Sequence, residues 1–193
     1  LHVIRHTAAH IMAQAISHLY PHAKFAYGPP SDKGFHYDVD LGDTKLTDDD
    51  LQKIEAEMKA IVKQNLPIRP SILPRDEAIA FMQSKGEIYK VEHIGDLPED
   101  AQISFYTQGD YVDMCTGPHL CYTKGLKAFK IMSQSGAYWK NNKDNTMLTR
   151  INGIAFASQK ELDDYLVMLE EAEKRDHRKV GKEMNLFMFL IEI

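Results

Sequence analysis

Cysteine is scarce in this 193-residue sequence. Only Cys115 and Cys121 occur, which excludes a disulfide framework and fits a reducing, cytoplasmic setting. Long apolar runs are missing as well. None approaches the roughly 18 residues a membrane-spanning helix needs. Arg5, His6 and His10 interrupt the first apolar stretch, so no secretory leader is expected either. Positive charge is not in surplus: 23 Lys and Arg stand against 28 Asp and Glu, a formal net charge of −5. Proteins that grip nucleic acid regardless of sequence rely on a basic field that displaces counterions from phosphates. Without that field, any RNA contact must be local or shared with other parts of a longer protein. Internal repeats and low-complexity tracts are absent too.

What remains is enough for one substantial domain with an appendage. The sequence opens on Leu1 rather than Met and closes on Phe189 to Ile193 without a polar tail, so a piece of a longer chain is expected.

Periodicity supplies the elements. Ala8, Ile11, Met12, Ala15, Ile16 and Leu19 recur at helical spacing and predict a first helix from His6 to Tyr20, stopped by Pro21. Tyr27 to Gly34 is rich in Gly and Pro and reads as turns. Phe35, Tyr37, Val39 and Leu41 alternate with His36, Asp38 and Asp40, the period of a strand with one dry and one wet face. Thr47 to Asp50 has capping-box spacing and opens a helix whose stripe is Leu51, Ile54, Met58, Ile61 and Val62. A shorter helix is expected from Arg75 to Lys85, closed by Gly86. Short β-like runs follow at 103–106, 111–114, 126–132 and 147–154. The class expected is α+β, with a mostly antiparallel sheet packed by helices. Ser158 and Glu161 form a second capping box ahead of Leu162, Tyr165, Leu166 and Leu169. That helix turns almost wholly charged at Lys174 to Lys179, the pattern of a solvent-bridging connector.

Two short clusters carry chemistry. His6 and His10 are four apart, so on a helix their rings share a face. Cys115 and His119 are also four apart, in a loop bent by Gly117 and Pro118. Three imidazoles and a thiol can hold zinc tetrahedrally. They can equally serve as a metal-free acid–base cluster, because histidine titrates near neutrality. Spacing is compatible with both. A metalloprotease is excluded, since its motif places Glu directly after the first His and this chain has Thr7. Cys121 reads as structural. Lys90 by spacing alone reads as a surface lysine, and Tyr37 as core.

His6-Thr7-Ala8-Ala9-His10 together with Cys115-Thr116-Gly117-Pro118-His119 resembles the paired signature of the threonyl- and alanyl-tRNA synthetase editing domains. Longer stretches resemble the threonyl type: Gly34 to Asp40, Tyr89 to Glu92, Tyr111 to Cys115, Ser135 to Trp139 and Lys174 to Lys179. His36 departs from the tyrosine of that pattern. The resemblance implies a hydrolase that removes mischarged serine from the 3′-terminal adenosine of tRNA(Thr). Within it, His6 would orient or activate water, and Lys90 would position a second water or stabilise the oxyanion. His10, Cys115 and His119 would shape the pocket and exchange protons. Asp113 would receive the serine, with Tyr37 and Met114 also binding substrate. The alanyl type holds zinc at the His/Cys set, whereas the threonyl type implies a site that requires no metal. The parent enzyme would use ATP, Mg and Zn.

The implied organisation is an editing domain over 1–157, a linker helix over 158–177, and the start of a class II catalytic domain over 178–193. Partners would be the tRNA 3′ end and the catalytic and anticodon-binding domains of the same chain. No ATP site of class II type lies in these residues, so the fragment is not expected to charge tRNA. A free-standing deacylase fits poorly with the connector. A noncatalytic tRNA-binding module built on a structural zinc site is the remaining alternative. For RNA, Lys124, Lys127, Lys130, Lys140, Lys143 and Arg150, interleaved with Phe129, Tyr138 and Trp139, offer a patch suited to a single-stranded end.

Overall fold

The computed structural model describes residues 1–175. The expected start of a catalytic domain at 178–193, and the last residues of the linker, lie outside the described residues.

Helix α1 (His2–Leu19) begins four residues earlier than periodicity suggested. Nothing in the first residues breaks a helix, and the Arg5 amide already bonds the Leu1 carbonyl. Residues 5–16 are buried on every side, which makes α1 the central helix of the fold rather than a surface one. It lies between a four-stranded sheet and α2 (Asp48–Gln64). Thr47 caps α2 through the expected reciprocal box with Asp50.

The four-stranded sheet has the order β1 (Lys24–Tyr27), β2 (Phe35–Asp40), β7 (Met147–Phe156) and β6 (Ala128–Tyr138), all antiparallel. A three-stranded antiparallel sheet runs β3 (Ile68–Leu73), β4 (Ile103–Gln108), β5 (Tyr111–Met114). Phe25, Tyr37, Val39 and Ile151 join the buried face of α1 in the main core. A second core gathers Ala78 and Met82 of α3 (Arg75–Ser84), Ile94 of α4 (Ile88–Asp96), and Ile103 and Phe105 of β4. The α+β class holds.

Several elements differ from expectation for identifiable reasons. β1 is four residues long and β3 contains Pro70, so neither carries a clean alternation; β3 tolerates the proline because it is an edge strand. α4 is nine residues, starts just after Gly86 and includes Gly95, too short for periodicity to declare. β6 runs on past residue 132 through the polar Ser133 to Tyr138, held by its ladder with β7 rather than by burial. Helix α5 (Gln159–Lys174) has the expected cap, Ser158, and its first half docks on the sheet through Leu162, beside Ala128 and Ile154. Among the described residues no helix is long and apolar enough to cross a membrane.

Candidate active site

The first two turns of α1, strand β2, helix α4 and the segment after β5 converge on a cavity of about 390 Å³. Every residue of the two clusters except His119 lines it, together with Tyr37, Lys90, Asp113 and Met114. Helical spacing brings His6 and His10 to the same side of α1, their ring centroids 5.3 Å apart. The loop bends at Gly117, whose φ is +69°; a Cβ there would stand 2.1 Å from the Tyr106 hydroxyl. That bend brings His119 back over both rings, with centroid distances of 4.2 Å to His6 and 4.1 Å to His10.

Cys115 is the hub of this cluster. Its Sγ lies 3.1 Å from His6 Nε2 and 3.3 Å from His119 Nε2, and it accepts the Gly117 amide at 3.2 Å. Burial raises the thiol to about 11, so it carries its proton at neutral pH. The same burial lowers His6, lowers His10 to about 4 and His119 to about 2, which leaves three neutral imidazoles. His6 Nδ1 and His10 Nδ1 are buried without a hydrogen-bond partner.

A second group adjoins it. Lys90 Nζ is 2.8 Å from Asp113 Oδ1 and donates to the Tyr37 hydroxyl at 2.9 Å, while that hydroxyl donates to Asp113 Oδ2. All three side chains are buried. Burial alone would raise the Asp113 carboxyl; the Lys90 ammonium, with His10 behind it, reverses this and holds it below the usual range. His10 Nε2, 3.6 Å from Asp113 Oδ2, joins the two groups. Lys90 is therefore no surface lysine, and Tyr37 is a core residue whose polar end belongs to the site.

The His/Cys set fits a metal by type and by distance. Ligand atoms of His6, His10, Cys115 and His119 all lie within 4.8 Å of one another. Tetrahedral zinc, with bonds of about 2.0–2.3 Å, asks for ligand separations of about 3.3–3.8 Å. Binding would have to draw the longest separations in and remove the thiol proton.

Cys121 is exposed and free rather than structural. Three members of the expected RNA patch are engaged within the fold: Lys140 pairs with Glu92 and Asp96, Arg150 grips Asp38 through two bonds, and Phe129 is core. Trp139 packs edge-on against Tyr89 and donates to Glu92, which anchors α4. Residues missed from the sequence include His2, which lines the cavity one turn before His6; its place in a His2-His6-His10 series was a readable signal. Thr7 was missed too. Its hydroxyl accepts the Leu120 amide at 2.9 Å and lies 3.3 Å from His119 Nδ1.

Comparison with known proteins adds two findings. Residues 103–152 match the family described as the threonyl and alanyl tRNA synthetase second additional domain, which takes in Asp113, Cys115 and His119. The chain is 58% identical over 186 residues to a threonine–tRNA ligase of Clostridioides difficile, which covers 96% of this chain and 29% of that protein. It is 56% identical over 184 residues to the ligase of Clostridium acetobutylicum, with 95% and 29% covered. The ligase of Carboxydothermus hydrogenoformans is 55% identical over 185 residues, with 96% and 29% covered. The chain thus spans about 29% of the length of these relatives.

Proposed function

The chain belongs to the threonine–tRNA ligase family, in the editing region that carries the second additional domain, and on that premise we propose that it hydrolyses the serine ester of mischarged tRNA(Thr). The observation that carries this reading is the buried Lys90–Asp113–Tyr37 group facing the same cavity as the neutral His/Cys cluster.

In the reaction, a water oxygen bonds to the ester carbonyl carbon, the bond to the ribose oxygen breaks, and that oxygen takes a proton. Asp113 has one donor on each carboxylate oxygen, which leaves lone pairs free for the serine ammonium or hydroxyl. Lys90 has three donor hydrogens and spends two on Asp113 and Tyr37; the third can meet the developing oxyanion or a water. His6 orients the attacking water. His10 and Cys115 form a proton-exchanging wall with His119 bonded behind Cys115, Tyr37 holds Lys90 and Asp113 in register, and Met114 lines the substrate side. A zinc ion held by the His/Cys set would supply Lewis acidity and a more acidic bound water. Hydrolysis by the side chains described needs no such ion.

A separate hydrolytic site answers a limit of the synthetic site that the longer ligase would carry. Threonine exceeds serine by one methyl group, worth about 1–3 kcal/mol, well short of a roughly 10⁴-fold requirement. The proposed parent ligates threonine to tRNA(Thr) in the cytoplasm with ATP, Mg and Zn through catalytic and anticodon-binding domains that follow the linker. The fragment itself is then unable to charge tRNA.

The test is deacylation of seryl-tRNA(Thr) and threonyl-tRNA(Thr), with wild type against His6→Ala, in the fragment and in the full-length ligase. Selective serine release that His6→Ala abolishes is expected. Equal release of both amino acids, or none from the full-length ligase, would overturn the reading. The proximity of the four donor atoms favours one alternative, a noncatalytic tRNA-binding module with structural zinc; a chelator would unfold such a module.

A further inference from the structure

We infer that Trp139 and Lys140, at the tip of the β6–β7 hairpin, are positioning residues that latch α4 to the four-stranded sheet and so fix where Lys90 enters the cavity. Lys90 and Asp113 lie on α4 and β5, which pack in the second core through Ile94, Val112 and Met114. His6, His10 and Tyr37 lie on α1 and β2 of the main core. The cavity between them keeps its shape only if α4 holds its place against the sheet.

Tyr89, Glu92 and Asp96 are three and four apart, so they share one face of α4. Tyr89 is buried with Ala26 and Leu148, and its hydroxyl donates to Asp40 at 2.6 Å. Trp139 packs edge-on against Tyr89, ring centroids 5.1 Å apart, and its Nε1 donates to Glu92 Oε2 at 3.0 Å. Lys140 Nζ lies 2.6 Å from Glu92 Oε1 and also bonds Asp96. The tip itself is a turn in which the Asn142 amide donates to the Trp139 carbonyl, with φ of +54° at Lys140 and +55° at Asn141. Asn adopts such a φ readily and Lys does not. The ammonium, not the turn, accounts for a lysine at that position.

Exposure separates positioning from stability. Lys140, Glu92 and Asp96 are each a third or more exposed, so their pairing adds little to folding. A shift of about 1 Å in a functional group can cost about 10²-fold in rate. Loss of the latch should therefore be felt at Lys90 before it is felt in the melting temperature.

The effect on rate rests on the proposed hydrolytic reading; two further readouts need no substrate. Trp139 is the only tryptophan of the chain, so its emission reports the latch directly. Acetylation of Lys90 by acetic anhydride, read by peptide mass spectrometry, reports whether that buried amine has moved. Lys140→Glu sets a carboxylate against Glu92 and Asp96, whereas Lys140→Arg keeps the charge. In Lys140→Glu, Trp139 emission is expected to shift to the red and Lys90 acetylation to rise several-fold. In the full-length ligase the same variant should lose roughly tenfold or more in kcat for seryl-tRNA deacylation, with KM little changed. Lys140→Arg should stay near wild type in all three. Should Lys140→Glu fail to fold, Glu92→Leu removes the shared acceptor and is expected to give the same readings. Unchanged emission overturns the inference, as does an opened latch with Lys90 acetylation or kcat at the wild-type level. A raised KM with kcat and acetylation unchanged would overturn it too and assign Lys140 to RNA contact. Shifted emission and acetylation in a ligase whose wild type releases no serine would instead overturn the hydrolytic reading and leave the latch standing.

Discussion

Lys90 on α4 and Asp113 on β5 meet at 2.8 Å, each side chain no more than 5% exposed. The pair ties the smaller sheet to the helix beside it and presents both charges to one cavity. Removing a single partner leaves an uncompensated buried charge, which typically costs about 3–5 kcal/mol. Lys90→Met and Asp113→Asn should each lower stability on that scale. The double variant should lose clearly less than the sum, because it removes the stranded charge. Denaturant melts of the four proteins give the coupling directly. Additive losses would mean that the two residues act independently.

Gly28 lies against the Tyr37 ring so closely that a Cβ would stand 2.2 Å from Cδ2. Gly28→Ala must therefore displace the ring that carries the hydroxyl shared by Lys90 and Asp113. Overpacking of this kind costs about 1–3 kcal/mol, so the protein should still fold. Deacylation should fall nearly as far as in Tyr37→Phe. Full activity in Gly28→Ala would show that the hydroxyl's position is not needed.

The histidines predict two opposite pH windows. His10 and His119 are held by burial at about 4 and about 2, below their unfolded value near 6.5. Their contribution is fully present above the unfolded value and is lost as pH falls, because the unfolded chain binds the protons first. His18 is opposite. Burial lowers it, but bonds to Glu57 and Asp110 prevail and raise it. Its clamp between α1, α2 and the β4–β5 turn is fully present below the unfolded value and fades as pH rises through the folded one. Melting temperature should drop from pH 6.5 towards 4 in the wild type, and less so in His10→Asn/His119→Asn. His18→Gln should flatten the decline on the alkaline side only. An acid slope that the double variant leaves intact would place the liability in other groups.

Three of the four candidate metal donors already hydrogen-bond one another through Cys115. Stripping with a chelator is therefore expected to leave the circular dichroism spectrum, the melting temperature and seryl-tRNA deacylation unchanged. Loss of folded signal, restored by zinc, would favour the structural-zinc alternative.

Much of this site was legible in the sequence because it is written at short range. The i, i+4 spacing of His6 and His10 needs only a helix, and Cys115 and His119 need only a bend at Gly117. The boxes at Thr47 and Ser158 are equally local and took their expected form; the alternation from Phe35 to Asp40 gave the strand, but Asp38, expected on its wet face, is buried against Arg150. Lys90 was different. Its neighbours give no period that marks it as buried, and its role on β-sheet-facing α4 depends on a carboxylate from another element.

The sequence by itself determined which chemical groups are available, which of them share a helical face, and the antiparallel α+β class. Tertiary structure decided which polar groups are buried and with whom. It drew Lys140 and Arg150 into ion pairs, left Cys121 in solvent, and set Thr7 beneath His119. Periodicity and capping act over a few residues along the chain. Burial of a charge is favourable only where a partner arrives from elsewhere in the fold, and that partner is fixed by packing.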